Sequence, residues 1–167
     1  MKIFYINIEK FKKNHDKQFL LPYADREFKS EKGFYEHTIG RYIIKNIFKN
    51  DEIIINTMGK PVFKNSEVYF SISHSKEYVF VCFDKIPCGI DIEYIKHRNL
   101  KKLSFHFDKN FENLDEFYKF WTYKEASYKL GTNPAFYHYK KFKKDYFLTI
   151  VSSQNIEILP TIKEFDI

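Results

Sequence analysis

The chain has 167 residues, 44% hydrophobic and 30% charged, which allows one core or two small halves that share one. Its formal charge of +6 favours acidic partners (phosphorylated ligands, nucleic acid, acidic proteins, anionic surfaces) without choosing among them. Two cysteines, Cys82 and Cys88, are too few for a disulfide framework and are not spaced as a zinc pair.

The first elements are read from β-branched and aromatic runs. Ile3–Ile8 predicts a strand, and the polar stretch from Pro22 to Lys32 opens a helical region. Phe34, Ile39, Tyr42, Ile43 and Phe48 recur at helical spacing, so residues 34–49 predict an amphipathic helix. Glu52–Asn56 predicts a short strand, followed by the turn-rich Thr57-Met58-Gly59-Lys60-Pro61. Val68–Ser73 and Tyr78–Asp84 predict two more strands, the second holding Cys82 as a small buried hydrophobe.

Ile86-Pro87-Cys88-Gly89 begins the second half, with a strand at Ile90–Ile95. Leu114–Leu130 predicts a long helix, with Asp115 and Glu116 near its positive end and Gly131 as its stop. Tyr146–Ser152 and Ile156–Leu159 predict a closing hairpin. Ile6-Asn7-Ile8-Glu9 is echoed by Ile90-Asp91-Ile92-Glu93, each followed by a helix and then strands. The echo suggests two related α+β halves, residues 1–85 and 86–167.

The basic residues are scattered, and no helix-turn-helix, zinc-finger or RNA-binding aromatic pattern accompanies them, which argues against nucleic acid. No apolar run approaches the roughly 20 residues that span a bilayer. Residues 1–10 acquire charge too soon for a secretory signal. The expectation is a cytoplasmic protein with no membrane and no nucleic-acid partner.

Three segments carry polar groups suited to chemistry. In Gly89-Ile90-Asp91-Ile92-Glu93 a side-chain period of two puts both acids on one strand face. Neighbouring carboxylates repel unless a cation or donors sit between them, although a solvated strand face gives the same pattern. In Trp121-Thr122-Tyr123-Lys124-Glu125-Ala126-Ser127-Tyr128-Lys129, residues 121, 125 and 129 lie along one side of a helix. A Glu and a Lys at that spacing are equally an ordinary helix pair. Phe70-Ser71-Ile72-Ser73-His74-Ser75 ends a strand in hydroxyl and imidazole donors fit for phosphate. A Ser–His nucleophile pair is disfavoured there, because triads are built from residues distant along the chain. His97, His106 and His138 have no ligand spacing.

The order Gly59-Lys60-Pro61, then Phe70–Ser75, then Gly89–Glu93, then Trp121–Lys129 resembles the motif series of the Sfp-type 4′-phosphopantetheinyl transferases. The resemblance covers about Gly59 to Gly131. It implies two similar α+β halves related by a pseudo-two-fold, with a ligand cleft between them. It also implies Mg²⁺-dependent transfer of the 4′-phosphopantetheine arm of coenzyme A to a serine of an apo acyl or peptidyl carrier protein. By resemblance, Asp91, Glu93 and Glu125 would hold Mg²⁺, with Glu125 and Lys129 catalytic. Lys60, Pro61, Ser73, His74, Asp91 and Lys129 would contact coenzyme A. Arg26, Lys29, Lys32 and Arg41 are candidates for the 3′-phosphate.

An internal repeat implies a monomer. After Gly131 the stretch Thr132–Phe136 lacks the glycine-rich continuation and hairpin of the family, which bears on carrier docking. The competing readings are a non-catalytic member that binds coenzyme A or a carrier, and a basic nucleic-acid-binding domain.

Overall fold

The computed structural model describes residues 1–166. Strand β1 (Lys2–Asn7) ends at Asn7, whose side chain accepts the Lys10 amide at 2.9 Å and starts helix α1 (Ile8–Asn14). Helix α2 (Lys17–Leu20) and a 3-10 turn (Leu21–Tyr23) lead to α3 (Glu31–Ile47). Ser30 caps α3 by accepting the Gly33 amide, so this helix begins ahead of the apolar periodicity that predicted it.

Strands β2 (Ile53–Ile55) and β3 (Pro61–Phe63) form a small hairpin. Its turn is closed by the Asn56 side chain, which accepts the Met58 and Lys60 amides, and Gly59 supplies the left-handed residue at φ 76°. Strands β4 (Tyr69–Ser75), β5 (Tyr78–Asp84) and β6 (Cys88–Tyr94) follow, then helix α4 (Leu100–Phe107). Helix α5 (Leu114–Leu130) has the predicted bounds. Asn113 accepts the Glu116 amide at its start, and Gly131 ends it at φ 83°.

The chain closes with β7 (Phe136–Phe142), β8 (Tyr146–Ser152) and β9 (Ile162–Glu164). Two expectations are corrected here. The hairpin partner of β8 is β7, not Ile156–Leu159, and β9 instead lies parallel to β1. Strand β7 holds four aromatic residues and two lysines yet buries only Phe142, so as an outer strand it carries little apolar alternation. A hairpin therefore does follow Thr132–Ala135. Helix α4 was also missed, although Leu100, Leu103 and Phe107 recur at helical spacing and pack, partly buried, against the cluster of Phe111, Phe117, Tyr118 and Phe147.

The fold is mixed α+β. One sheet has the order β4-β5-β1-β9 and the other β6-β8-β7. In both, a first strand (β1, β6) is followed by helices and then by a hairpin (β4–β5, β7–β8) whose second strand bonds to it; in the first half the small β2–β3 hairpin intervenes. The strand–helix–strand–strand connection thus occurs twice.

Helix α3 covers one face of the first sheet through Phe34, Ile39, Ile43 and Ile44, packed with Ile6, Val79 and Val81. Ile3, Phe80 and Cys82 on its other face meet Ile90, Ile92, Leu148 and Ile150 of the second sheet. Helix α5 covers the remaining face, where Ala126 and Leu130 pack on Val151. Ile90 and Ile92 therefore point into the sheet–sheet core, while Gly89, Asp91 and Glu93 face α5.

Candidate active site

Strand β6 and helix α5 meet closely because residue 89 is glycine. A Cβ there would lie 2.2 Å from the Ala126 carbonyl oxygen and 2.9 Å from a Val151 methyl. The approach brings the functional groups of α5 onto the acidic face of β6. Lys129 Nζ donates to Asp91 Oδ1 at 2.7 Å and to the Ile90 carbonyl at 3.1 Å. Trp121 Nε1 donates to Glu93 Oε1 at 3.2 Å. Glu125 lies one turn from each of these residues, on the same side of the helix.

The acids are also held from the opposite side. Ser73 Oγ donates to Asp91 Oδ1 at 2.9 Å, and Ser75 Oγ donates to Glu93 Oε2 at 3.2 Å. Asp91 is only 5% exposed, and its Oδ2 is buried with no hydrogen-bond partner among the described residues. Such an orphan acceptor costs free energy unless a donor or cation reaches it. Burial, reinforced by the Asp91 charge, pushes the Glu93 carboxyl above its ordinary range, against the hydrogen bonds from Trp121 and Ser75.

A raised acid pKa in the folded state stabilises the fold at low pH, and that contribution is lost as pH rises through the folded value. In chelator, Glu93→Gln is therefore expected to melt higher than the parent at neutral pH, with the gap closing as pH falls below the ordinary Glu range. Paired thermal melts across pH check this; a gap that stays constant or widens toward acid contradicts it.

Beside the acids lies a cleft of about 250 Å³ lined by Met58, Lys60, Ser71, Glu125, Tyr128 and Lys129, among others. Lys60 Nζ donates to the Lys129 carbonyl at 2.6 Å, tying the β2–β3 turn to the end of α5. Burial lowers the Lys60 pKa, with the Lys129 charge adding to it. An anion entering this cleft would meet two ammonium groups, one already partly desolvated. Tyr128, 68% exposed, stands at its mouth.

Gly59, Pro61 and Ile72 also border a second cavity, of about 590 Å³, reached by Arg26, His37, Arg41 and His74. Asp25 orders it, binding Arg41 Nη1 at 2.9 Å and sharing a hydrogen bond with His37 Nε2 at 2.8 Å. His74 Nδ1 lies 3.6 Å from Glu36 Oε1, and burial depresses the pKa of both histidines. Of the basic candidates from the sequence, Arg26 and Arg41 line this cavity. Lys32 lines a different cavity and pairs with Glu36 across 3.5 Å.

Asp91, Glu93, Trp121 and Lys129 are thus brought together, with Glu125 and Lys60 in the adjoining cleft and Pro61 and His74 along its continuation. Ser73 is turned the other way from His74 along β4, is 4% exposed, and has its hydroxyl engaged by Asp91 and the Ile92 amide. Sequence reasoning missed the Trp121–Glu93 bond and the role of Ser75. The alternation Ser-x-Ser-x-Ser was the available signal.

A divalent ion such as Mg²⁺ takes oxygen ligands. The buried, unpartnered Asp91 Oδ2 and the adjoining Glu93 fit that chemistry. Among the described residues, however, no three His, Cys, Asp or Glu side chains are gathered in a metal-holding arrangement. The Lys129 ammonium is the cation against Asp91. No helix among the described residues is long and apolar enough to cross a membrane.

Paired acids beside an ammonium-lined cleft are suited to one class of ligand, a phosphate-bearing molecule accompanied by a cation. Similarity to curated proteins narrows that class. The chain is similar to the 4′-phosphopantetheinyl transferase gsp of Aneurinibacillus migulanus, 29% identical over 144 residues covering 77% of this chain and 60% of that protein. It is similar also to the 4′-phosphopantetheinyl transferase Sfp of Bacillus subtilis, 35% identical over 79 residues covering 41% of this chain and 35% of that protein. These relatives agree with the resemblance drawn from the motifs, and the chain spans about 60% and about 35% of their lengths. No family model matches the chain.

Proposed function

We propose that the protein is a 4′-phosphopantetheinyl transferase that moves the phosphopantetheine arm of coenzyme A onto a serine of an apo acyl or peptidyl carrier protein, releasing 3′,5′-ADP. One observation carries this reading: the acidic face of β6 and the Glu–Lys side of α5 meet at Asp91, beside a cleft that also holds Lys60. In the same reading, residues 1–85 and 86–167 are two halves related by a pseudo-two-fold with the ligand cleft between them. The twice-used strand–helix–strand–strand connection supports that relation. The protein acts as a cytoplasmic monomer with no nucleic-acid or membrane partner.

Lys60 and Lys129 hold the pyrophosphate. Pro61 and His74 contact the nucleotide, whose 3′-phosphate lies toward Arg26 and Arg41. Asp91, Glu93 and Glu125 are the residues that would hold Mg²⁺, which when bound neutralises phosphate charge and stabilises the departing 3′,5′-ADP. Glu125, which lines the cleft, takes the proton from the carrier serine hydroxyl. The basic surface suits the acidic helices of carrier proteins.

The reading requires 3′,5′-ADP to appear only when coenzyme A, Mg²⁺ and an apo carrier are all present. Chromatography of the reaction checks it, and release without a carrier would contradict it. Lys60→Met removes one buried charge-assisted contact and is expected to weaken coenzyme A binding about ten- to a hundred-fold. Calorimetric titration measures this, and unchanged affinity would remove Lys60 from the phosphate site.

A further inference from the structure

Strand β6 hydrogen-bonds to β8 along one edge, which leaves the other row of its amides to be satisfied elsewhere. The amides of Ile90 and Ile92 lie in the interior and that of Tyr94 is part-buried, places where an unpaired donor is costly. The partners are serine hydroxyls. Ile90 N donates to Ser71 Oγ at 3.3 Å, Ile92 N to Ser73 Oγ at 3.2 Å, and Tyr94 N to Ser75 Oγ at 2.9 Å. Ser71, Ser73 and Ser75 occupy alternate positions of β4, on the face that also carries Phe80 and Cys82 across the β4–β5 ladder. Phe70 and Ile72 point the other way and pack in the α3 core. The hydroxyls therefore form a rail that joins the edge of one sheet to the edge of the other.

Each hydroxyl has one hydrogen. At Ser73 and Ser75 the amide uses the oxygen as acceptor, so the hydrogen is free to go to the carboxylate of the residue just before that amide. Ser73 gives it to Asp91, and Ser75 gives it to Glu93. Ser71 sits opposite Gly89, which has no side chain to receive one. One contact thus sets the backbone of an acid and also its carboxyl rotamer. On Asp91 the Ser73 and Lys129 donors converge on Oδ1, and Oδ2 is left open.

We infer that Ser73 and Ser75 are positioning residues, which aim Asp91 and Glu93 for cation binding and weld the acidic strand to β4. Neither acts as a phosphate ligand. The inference rests on the transfer function proposed above for its purpose, but the rail itself can be tested without it. Removing a partner that orients a metal ligand typically lowers metal affinity by about ten- to a hundred-fold. Ser75→Ala is expected to lose that much affinity for Mn²⁺, read by electron paramagnetic resonance on protein saturated with coenzyme A. Its coenzyme A affinity should stay at the parent value. Ser75→Thr, which keeps the hydroxyl on a β-branched side chain suited to a strand, should restore Mn²⁺ binding.

Amide hydrogen exchange supplies a readout that needs no ligand: Tyr94 should exchange faster in Ser75→Ala, and Ile92 faster in Ser73→Ala. Unchanged exchange at both amides overturns the rail whatever reaction the protein performs. Altered exchange with unchanged Mn²⁺ affinity, or a Thr variant as impaired as the Ala variant, overturns the positioning role. A parent protein that binds coenzyme A but no Mn²⁺ overturns that role as well. A parent that transfers no arm while the Ser75 variants behave as stated counts against the transfer reaction and leaves the rail standing.

Discussion

Gly89→Ala is expected to destabilise the fold by about 3 kcal/mol or more, lowering the melting temperature by roughly 10 °C. The added methyl would overlap the Ala126 carbonyl oxygen, a backbone atom fixed within α5, and it would also meet a Val151 methyl. The carbonyl cannot move away without its helix, so α5 must lift from β6. Lifting it parts Lys129 from Asp91 and Trp121 from Glu93, so the surviving folded protein should transfer poorly as well. Gly33→Ala is the control: its methyl would meet the Ser30 hydroxyl at 3.1 Å in the half-buried first turn of α3, where a shift of a few tenths of an ångström by that side chain relieves the contact. Thermal melts of both variants decide the matter. A Gly89→Ala protein as stable as the parent would mean that β6 and α5 are not in the contact described.

Asp91→Asn is expected to abolish transfer while sparing the fold. The amide keeps the size and one oxygen of the carboxylate, so Ser73 can still donate to it. Lost are the negative charge at Oδ2 and the attraction for a cation. Several kcal/mol of transition-state charge stabilisation correspond to a fall of about a thousand-fold in rate. The melting temperature should change little, because repulsion with Glu93 disappears along with the Lys129 ion pair. Single-turnover transfer measured beside a thermal melt separates the two effects. Parent-like turnover would exclude Asp91 from the chemistry.

What the sequence made legible was whatever is encoded locally. The α5 bounds follow from Asn113 and Gly131, and the shared face of Asp91 and Glu93 follows from strand alternation. Strand β7 was hard to read because it buries only Phe142, whereas α4 was legible in the Asn99 cap and in Leu100, Leu103 and Phe107 at helical spacing, and was missed. The place of β9 beside β1 depends on a long-range pairing that no local pattern records. The serine motif shows the limit most clearly. Its hydroxyls read as phosphate donors from the sequence, yet Ser71, Ser73 and Ser75 satisfy the amides of a strand some twenty residues further on. Which acceptor a hydroxyl finds is a tertiary fact.

The most direct measurement is the intact mass of an apo carrier protein after incubation with this protein, coenzyme A and Mg²⁺. The account predicts the gain of one phosphopantetheine arm on the carrier serine, absent in chelator and severely reduced with Glu125→Gln. Coenzyme A bound with no change in mass across a panel of acyl and peptidyl carriers would contradict it.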